Sequence, residues 1–216
     1  RIGRAEARSL AKACLPAVLS GVLCSAAITV SRQFLFVMEG ESSLGSYASV
    51  ATLAVIVQMA ASYIYNPLLG TFATLAEKQD GAALRRLILR VCLAVVGITL
   101  VVSLLFWLFG EWGLKLLFGE KIIPFVGLLQ PMLLCTAATA YLWFFMDLLI
   151  VLRKMKEVLV GNVVAFVAVF PLSYGLIMAC GANGVSFAGA IAYALGCVLL
   201  ARYTFSAIGV CCARVD

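Results

Sequence analysis

The sequence predicts an all-α integral membrane protein, folded as a bundle of six transmembrane helices. Two observations of composition support this prediction. Of the 216 residues, 64% are hydrophobic and 12% are charged, whereas soluble domains have about 45 to 50% apolar and about 25% charged residues. The third observation is that the apolar residues gather in six stretches, each long enough to cross the hydrocarbon core as a helix of about 20 residues. These stretches are 14–38, 44–69, 87–109, 124–152, 159–179 and 183–207.

The positions of Lys and Arg predict the orientation of these spans, because basic residues are retained on the cytoplasmic side of a membrane. Most of the 16 basic residues lie in the N-terminal segment, near the C-terminal end, or in the loops around Arg85 and Arg153. Three others, Arg32, Lys115 and Lys121, lie at or near the opposite side. We therefore expect both chain ends on the cytoplasmic side. The net charge of +6 is a topology signal rather than a sign of nucleic-acid binding.

The first two predicted helices each carry a stripe of polar and small residues. Spacings of three and four residues place each stripe on a single face of its helix. The stripe of the first helix consists of Gly21, Ser25, Thr29 and Arg32. The stripe of the second consists of Tyr47, Ala51, Ala54, Gln58, Ala61 and Tyr65. Because polar residues inside a membrane are costly and mark function, we expect the two stripes to line one hydrophilic cavity.

Six of these residues are predicted to bind substrate in that cavity: Arg32, Thr29, Ser25, Gln58, Tyr47 and Tyr65. The alternative is that the Ser and Thr hydroxyls bond to carbonyls of their own helix and that Gln58 bonds to a neighbouring helix. Arg32 lies about 26 Å from the inner end of its helix at 1.5 Å per residue. The alternative for Arg32 is that its side chain reaches to the lipid headgroups.

The connections between the later spans hold much of the remaining charge. The loop 76–84, with Asp-Gly and charges of both signs, predicts a solvated turn followed by an amphipathic start of the third helix. The segment 110–123 is too short and too charged to span, and we expect a short amphipathic helix at the outer interface, anchored by Trp112. Pro124 suits the first turn of the fourth helix. Three other prolines lie inside spans and are expected to kink them: Pro67, Pro131 and Pro171.

Asp147 lies inside the fourth span, about 8 Å from its cytoplasmic end. One interpretation pairs its carboxylate with Arg153, Lys154 or a neighbouring helix end. The other makes Asp147 an ion or proton relay, because intramembrane acids often serve such pathways. A direct salt bridge to Arg32 is not expected, since the two residues lie at different depths.

Small residues recur four apart in the last span and predict close approach of helices in lipid. The two rows are Ala188, Ala192 and Gly196, and Ser186, Ala190 and Ala194. Ordinary packing of a bundle explains them without a catalytic role. The chain has no His, and the Cys residues of its spans lack the paired spacing of a zinc or redox site. We therefore expect no metal, no cofactor and no enzymatic activity.

Four short segments at the predicted helix ends form a recognisable series. They are the turn GESSLGSY (40–47), the segment YNPL (65–68) followed by the charged loop 76–84, the outer segment FGEK (118–121), and the glycine-rich turn GANGV (181–185). In this order they resemble the C-terminal half of a Wzx-like polysaccharide (O-antigen) flippase, in the multidrug/oligosaccharidyl-lipid/polysaccharide flippase superfamily. The resemblance covers nearly the whole chain through motifs that are each short.

The resemblance implies one lobe of a two-lobe, twelve-helix carrier, with the N-terminal six-helix lobe of the same protein as partner. Such carriers turn an undecaprenyl-diphosphate-linked oligosaccharide across the bacterial inner membrane by alternating access, in polysaccharide or lipopolysaccharide biosynthesis. Arg32 matches the charged cavity residues that meet the sugar or diphosphate in that family. We therefore expect a lipid-linked oligosaccharide as substrate, contact with membrane lipids, and a chain that is a portion of a longer inner-membrane protein, since it begins at Arg1 rather than Met.

Three other functions stay open at this point. The nearest is a cation-coupled drug exporter or a lipid II flippase of the same superfamily, although lipid II flippases usually extend to fourteen helices. A membrane-embedded enzyme acting on lipid-linked sugars would need clustered carboxylates, His or a metal site. A membrane scaffold subunit without transport is favoured if the polar stripes face helix contacts and no cavity.

Overall fold

The computed structural model describes the backbone of residues 4–212 and the side chains of residues 14–120, 123 and 125–209. Its helices are α1 (Arg4–Glu39), α2 (Glu41–Tyr65), α3 (Leu69–Glu77), α4 (Gly81–Phe118), α5 (Leu129–Val151), α6 (Met155–Cys180) and α7 (Ala182–Cys212). Two 3₁₀ segments, Asn66–Leu68 and Glu120–Leu128, separate α2 from α3 and α4 from α5. With α2 and α3 taken together, six helical units are long and apolar enough to cross a membrane. The predicted all-α, six-helix transmembrane class is therefore confirmed.

Glycines at positive φ lie between consecutive helices at three places. Gly40 (φ +87°) is the single residue between α1 and α2, Gly119 (φ +79°) follows α4, and Gly181 (φ +60°) separates α6 from α7. Glycine adopts this backbone region without the steric cost that a Cβ brings. These glycines belong to three of the four segments that carry the family resemblance. The structure thus agrees with the sequence segments on where these helices end, and the resemblance to a flippase family stays a prediction.

Two features of the chain form as the sequence predicts. One is the break between α2 and α3, and the other is the turn between α3 and α4. Pro67 lies in the 3₁₀ segment that interrupts the apolar run from α2 into α3, because proline has no amide hydrogen to continue the helical ladder. The charged turn then occupies residues 78–80. Asp80 caps α4, since its side chain accepts a hydrogen bond of 2.9 Å from the Ala83 amide.

The prediction of a separate interfacial helix after residue 110 is wrong. Helix α4 runs without a break from Gly81 to Phe118, and Trp112 lies on that continuous helix with 67% of its surface exposed. Charge at 111 and 115 does not end a helix, because polar side chains are compatible with helical backbone. The helix ends at Gly119, where the backbone turns to positive φ.

Two of the proline predictions are also corrected. Pro124 lies in the 3₁₀ segment Glu120–Leu128 rather than in the first turn of α5. Pro131 occupies the first turn of α5 instead, where amides have no intrahelical acceptor, so no kink is required there. Pro171 does lie inside α6, as predicted.

Helices α5, α6 and α7 form the centre of the bundle. Helix α7 packs along both α5 and α6, and small residues allow the close approach. At Gly196 an added Cβ would stand 3.1 Å from the Gly161 carbonyl oxygen and 3.0 Å from the Ala165 Cβ. Ala188 and Ala192 are fully buried. The predicted close contact is confirmed for the row that holds Ala188, Ala192 and Gly196, whereas Ala194 of the second row is exposed.

The first two helices pack on this centre from different sides. Helix α1 packs mainly on α6, and α2 packs mainly on α5 and also on α4, whereas α1 and α2 contact each other less than either contacts its main partner. Their connection is the single residue Gly40. The arrangement leaves a groove between α1 and α2, with α5 and α7 behind it.

Helix α4 lies at the edge of the bundle and presents large apolar side chains outward. Leu93 and Trp107 are 70% and 74% exposed, and 11% of the most apolar part of α4 is buried. Exposed apolar surface of this extent suits contact with lipid tails rather than with water.

Candidate functional site

The groove between α1 and α2 has a volume of about 90 Å³ and is lined by four helices. Its walls are α1 and α2, and its floor is formed by α5 and α7. The lining residues that carry polar groups are Ser31, Arg32, Tyr47, Gln58, Thr136, Thr139 and Tyr193. Segments far apart in the sequence therefore bring polar groups together in a groove on the face of an otherwise apolar bundle.

Arg32 is the charged residue of this groove. The ion pairs among the described side chains are Lys115–Glu120 at 2.8 Å and Lys154–Glu157 at 3.8 Å, so the Arg32 guanidinium has no acidic partner there. Gln58 lines the same groove from α2. Helix α1 thus supplies a cation, and α2 supplies an amide that both donates and accepts hydrogen bonds.

Most hydroxyl groups of the groove are engaged in hydrogen bonds within the protein. The buried Tyr47 hydroxyl is hydrogen-bonded to the Ser186 hydroxyl at 3.3 Å, which joins α2 to α7. Thr136 and Thr139 each donate to the carbonyl four residues earlier in α5, at 2.8 Å. These side chains shape the groove, and they leave Arg32 and Gln58 as its groups best placed to meet a ligand.

The other predicted residues of α1 lie outside the groove. Ser25 and Thr29 are exposed, and the Thr29 hydroxyl donates to the Ser25 carbonyl at 3.1 Å, as the alternative interpretation expects. Helix α1 is turned so that Ile28 and Ser31 accompany Arg32 into the groove. The predicted stripe therefore shares only its last residue with the groove.

Tyr65 and Asp147 form a separate polar pair farther along α5. The buried Tyr65 ring packs at 5.4 Å from the Phe144 ring, and the Tyr65 hydroxyl lies beside the Asp147 carboxyl. Asp147 is about 16 Å along the helix axis from Thr136, at 1.5 Å per residue. Between these depths, the Trp143 indole nitrogen donates to the Cys24 sulfur of α1 at 3.2 Å.

Of the partners expected for Asp147, Arg153 and Lys154 do not pair with it among the described side chains. A neighbouring helix end does lie beside it, since Tyr65 is the last residue of α2. Lys154 pairs with Glu157 at 3.8 Å, and the Asp147 carboxyl faces Tyr65 of α2. As predicted, Arg32 and Asp147 do not form an ion pair in the described part of the chain. Arg32 and Asp147, the two charged residues predicted to be functional, therefore belong to two sites at different depths.

Comparison with known proteins gives no relative. Neither a protein-family model, nor a curated protein, nor a solved structure matches this chain.

The chemistry that this groove supports is recognition of an anionic, hydroxyl-rich group. A guanidinium without an acidic partner binds phosphate or carboxylate oxygens through paired hydrogen bonds, and its attraction for an anion is stronger in a medium of low dielectric constant. The Gln58 amide offers both a donor and acceptors to hydroxyl groups.

Sequence reasoning missed the residues that α5 and α7 add to the groove. Thr139 of α5 and Gly189 and Tyr193 of α7 line it, although the sequence predicts only a packing role for α7 and singles out Asp147 as the functional candidate of α5. The sequence did contain one signal, because Gly189 lies in the small-residue region of α7. In the structure a Cβ at Gly189 would stand 2.7 Å from the Cys135 sulfur, so this region continues to the groove floor. Helical periodicity could not reveal that these faces meet α1 and α2.

Proposed function

We propose that this chain is the C-terminal six-helix lobe of a carrier that moves a lipid-linked oligosaccharide across the bacterial inner membrane. The substrate is an undecaprenyl-diphosphate-linked glycan unit, and the mechanism is alternating access. The observation that carries the proposal is the groove between α1 and α2, where Arg32 has no acidic partner among the described side chains. In this proposal an N-terminal lobe of the same protein faces the groove and completes the cavity.

The physical problem of such transport matches the groove. A lipid-linked glycan must carry a polar head through a layer that offers it no hydrogen bonds, while its tail can stay among lipid tails. A polar groove on the face of an otherwise apolar bundle lowers that barrier without covalent chemistry. Arg32 would meet the diphosphate, and Gln58 the sugar hydroxyls.

The fold also offers places where helices can change direction. Pro171 lies inside α6, and a 3₁₀ segment interrupts the run from α2 into α3. Interrupted helices near a central site are a recurring feature of carriers in which one bundle rocks against another. These breaks support the alternating-access part of the proposal.

The test exchanges Arg32 in the full-length gene product, expressed in a strain that lacks its own flippase. Arg32→Ala is expected to lower surface glycan at least about tenfold, because it removes charged hydrogen bonds to the diphosphate. Arg32→Lys is expected to restore part of the glycan, since Lys keeps the charge and loses the planar fork. Lys115→Ala is the matched control, because Lys115 is an exposed cation away from the groove.

Surface glycan is compared at matched membrane levels of each variant. Normal glycan with Arg32→Ala would remove the residue from substrate binding and assign it to a headgroup contact. An equal loss with Lys115→Ala would attribute the effect to general charge rather than to the groove.

The proposed orientation, with both chain ends in the cytoplasm, has its own test in a cysteine-free background. Cysteines placed at Ser42 and Asn183 should react with an impermeant thiol reagent from outside, and one at Gln79 should not. Ser42, in the first turn of α2, and Gln79, in the turn before α4, are both exposed, so a difference in their labelling reports the side of the membrane. The reverse pattern would invert the topology.

A cation-coupled exporter is the second candidate, and Asp147 is the observation that favours it. Its carboxyl lies beside Tyr65 within the membrane-spanning part of the bundle, and intramembrane acids commonly relay protons or bind cations. Asp147→Asn should then abolish ion-driven drug efflux, whereas Arg32→Ala should leave it intact. A scaffold without transport would tolerate both substitutions in both assays.

A further inference from the structure

A second groove lies between α3 and α4, apart from the groove between α1 and α2. It has a volume of about 240 Å³, and we call it the α3–α4 groove. Its lining residues are Thr71 and Leu75 of α3 and Ala83, Arg86, Leu87 and Arg90 of α4. Two guanidinium groups therefore share a small space with a hydroxyl and apolar side chains.

The two arginines of this groove form no ion pair with the acidic side chains that the structure describes. Arg86 and Arg90 are both exposed and lie one helical turn apart. Like charges four residues apart on a helix repel each other. The Arg86 Nε donates to the Ala82 carbonyl at 3.4 Å, so one side of this guanidinium is held on α4. An anion placed between the two guanidinium groups would relieve the repulsion.

The groove stands at the end of an exposed apolar face of α4. Spacings of three and four residues continue this face from Arg90 through Leu93, Gly97, Leu100, Leu104 and Trp107 to Glu111, all of them exposed. Arg90 and Glu111 are about 32 Å apart along the helix axis at 1.5 Å per residue. This distance is close to the hydrocarbon thickness of about 30 Å. Arg90 therefore lies at the level of the headgroups when α4 crosses the bilayer.

We propose that the α3–α4 groove binds the headgroup phosphate of an anionic phospholipid, whose acyl chains lie along the exposed face of α4. The phosphate bridges the guanidinium groups of Arg86 and Arg90, which present the planar, multiple donors that phosphate oxygens accept. A free phosphate offers the same anion to the groove. The apolar face that begins directly at Arg90 makes the lipid the occupant, since only a lipid fills both surfaces.

The experiment measures binding of phosphatidylglycerol to the purified full chain in a neutral detergent, by titration of a fluorescent lipid. The double variant Arg86→Gln/Arg90→Gln is expected to weaken binding about thirtyfold, since two basic residues at a charged lipid surface are lost. The control Lys78→Gln/Arg85→Gln removes two exposed cations from the same end of the bundle but outside the groove. It should weaken binding less than about threefold.

Two further measurements distinguish an anionic phospholipid from a neutral lipid and from a free phosphate as the occupant of the groove. Phosphatidylcholine, which has no net charge, should bind at least about tenfold more weakly than phosphatidylglycerol. Glycerol 1-phosphate at millimolar concentration should not displace the lipid. Displacement would identify a site for free phosphate and overturn the lipid assignment, and equal losses in the two double variants would reduce the site to general surface charge.

A charge-preserving variant keeps the proposal testable if the glutamine pair does not fold. Arg86→Lys/Arg90→Lys retains both charges and should weaken phosphatidylglycerol binding only about threefold to tenfold, because the paired hydrogen bonds of each fork are lost. Unchanged binding in this variant, together with unchanged binding in Arg90→Gln alone, would exclude the groove as the lipid site.

Discussion

The centre of the bundle and the α1–α2 pair use glycine in opposite ways. In the centre, α6 and α7 are so close that a Cβ at Gly184 would collide with the backbone carbonyl of Leu176. In the α1–α2 pair, Gly21, Gly40 and Gly45 have no atom other than those of the adjoining backbone within 4 Å of the place where a Cβ would stand. Glycine lets two backbones meet in the first region, whereas in the second it supplies only the positive φ of Gly40.

The difference teaches how a membrane bundle can hold a polar groove. Lipid tails are as apolar as leucine, so helices in a membrane are held by close packing and by hydrogen bonds. The α5–α6–α7 centre concentrates this close packing. The α1–α2 pair makes few direct contacts and can therefore leave a polar space between its helices, because each partner is fixed by the centre instead.

The largest expected effect comes from breaking the close contact of the centre. Gly184→Ala should destabilise the protein by about 3 kcal/mol, the upper end of the range for overpacking. The new methyl group would meet backbone atoms of α6, which cannot move aside as a side chain can by changing its rotamer. Reversible unfolding of the purified protein in mixed detergent micelles measures this loss. Gly175→Ala on α6 is the matched control, since a Cβ there meets nothing within 4 Å, and it should be neutral or stabilising. Equal stability of both variants would contradict the close packing of α6 and α7.

A smaller loss of stability is expected from Gly161→Ala, which tests the contact between Gly161 of α6 and Leu200 of α7. A Cβ at Gly161 would stand 2.7 Å from the Leu200 Cγ, so Gly161→Ala should cost about 1 to 2 kcal/mol. In a Leu200→Ala background the same change should cost about 1 kcal/mol less, because the obstructing side chain is gone. The double-mutant cycle measures this coupling. Strict additivity would show that the two positions do not meet.

Helix α4 should depend on polar contacts with α5 as well as on the close approach at Gly110, where an added Cβ would stand 2.9 Å from the Leu129 Cδ1. The Ser103 hydroxyl donates to the Gln130 Oε1 at 2.7 Å, and the Gln130 amide donates back to the Ser103 carbonyl at 3.3 Å. Gln130→Leu should therefore destabilise the protein by about 1 kcal/mol, within the range of hydrogen bonds between transmembrane helices. Ser103→Ala should cost less, because the carbonyl of residue 103 still accepts from the Gln130 amide, and the double variant should lose little more than Gln130→Leu alone. A full sum of the two losses would indicate separate interactions.

The smallest effect on stability is expected where the α1–α2 groove is filled. Val55→Trp places a large side chain in that groove, where Val55 is 38% exposed, and should change the free energy of unfolding by less than about 1 kcal/mol. Val169→Trp makes the same substitution at a fully buried position of α6 and should destabilise the protein by about 3 kcal/mol. If the proposed transport is correct, Val55→Trp should also abolish it. Comparable destabilisation by both variants would mean that the groove is part of the packed interior.

The sequence was sufficient for the number and type of the membrane-spanning segments. Composition and the length of apolar stretches identify spans, because the bilayer requires each span to satisfy its own backbone groups. Local chemistry also located the turn at Asp80 and the break at Pro67. The end of α4 was missed because charged residues were interpreted as a helix boundary. A helix stops at a backbone feature such as Gly119 and continues through polar surroundings without difficulty.

The groove was only partly predictable. Arg32, Tyr47 and Gln58 were identified, since costly polar residues stand out in apolar spans. The rotation of α1, which leaves Thr29 outside and brings Ser31 in, depends on how α1 packs against α6. Periodicity within one helix carries no information about that contact. The same reason explains why the floor supplied by α5 and α7 was not foreseen.

The single-residue connection at Gly40 has a mechanical consequence. Helix α1 is fastened to α6, and α2 is fastened to α5 and α4, while α7 touches both α5 and α6. Since α1 and α2 are held mainly by other helices, spreading α1 away from α2 would break few contacts between the two. Gly40 would be the hinge of that motion, and the angle between α1 and α2 would set the width of the groove.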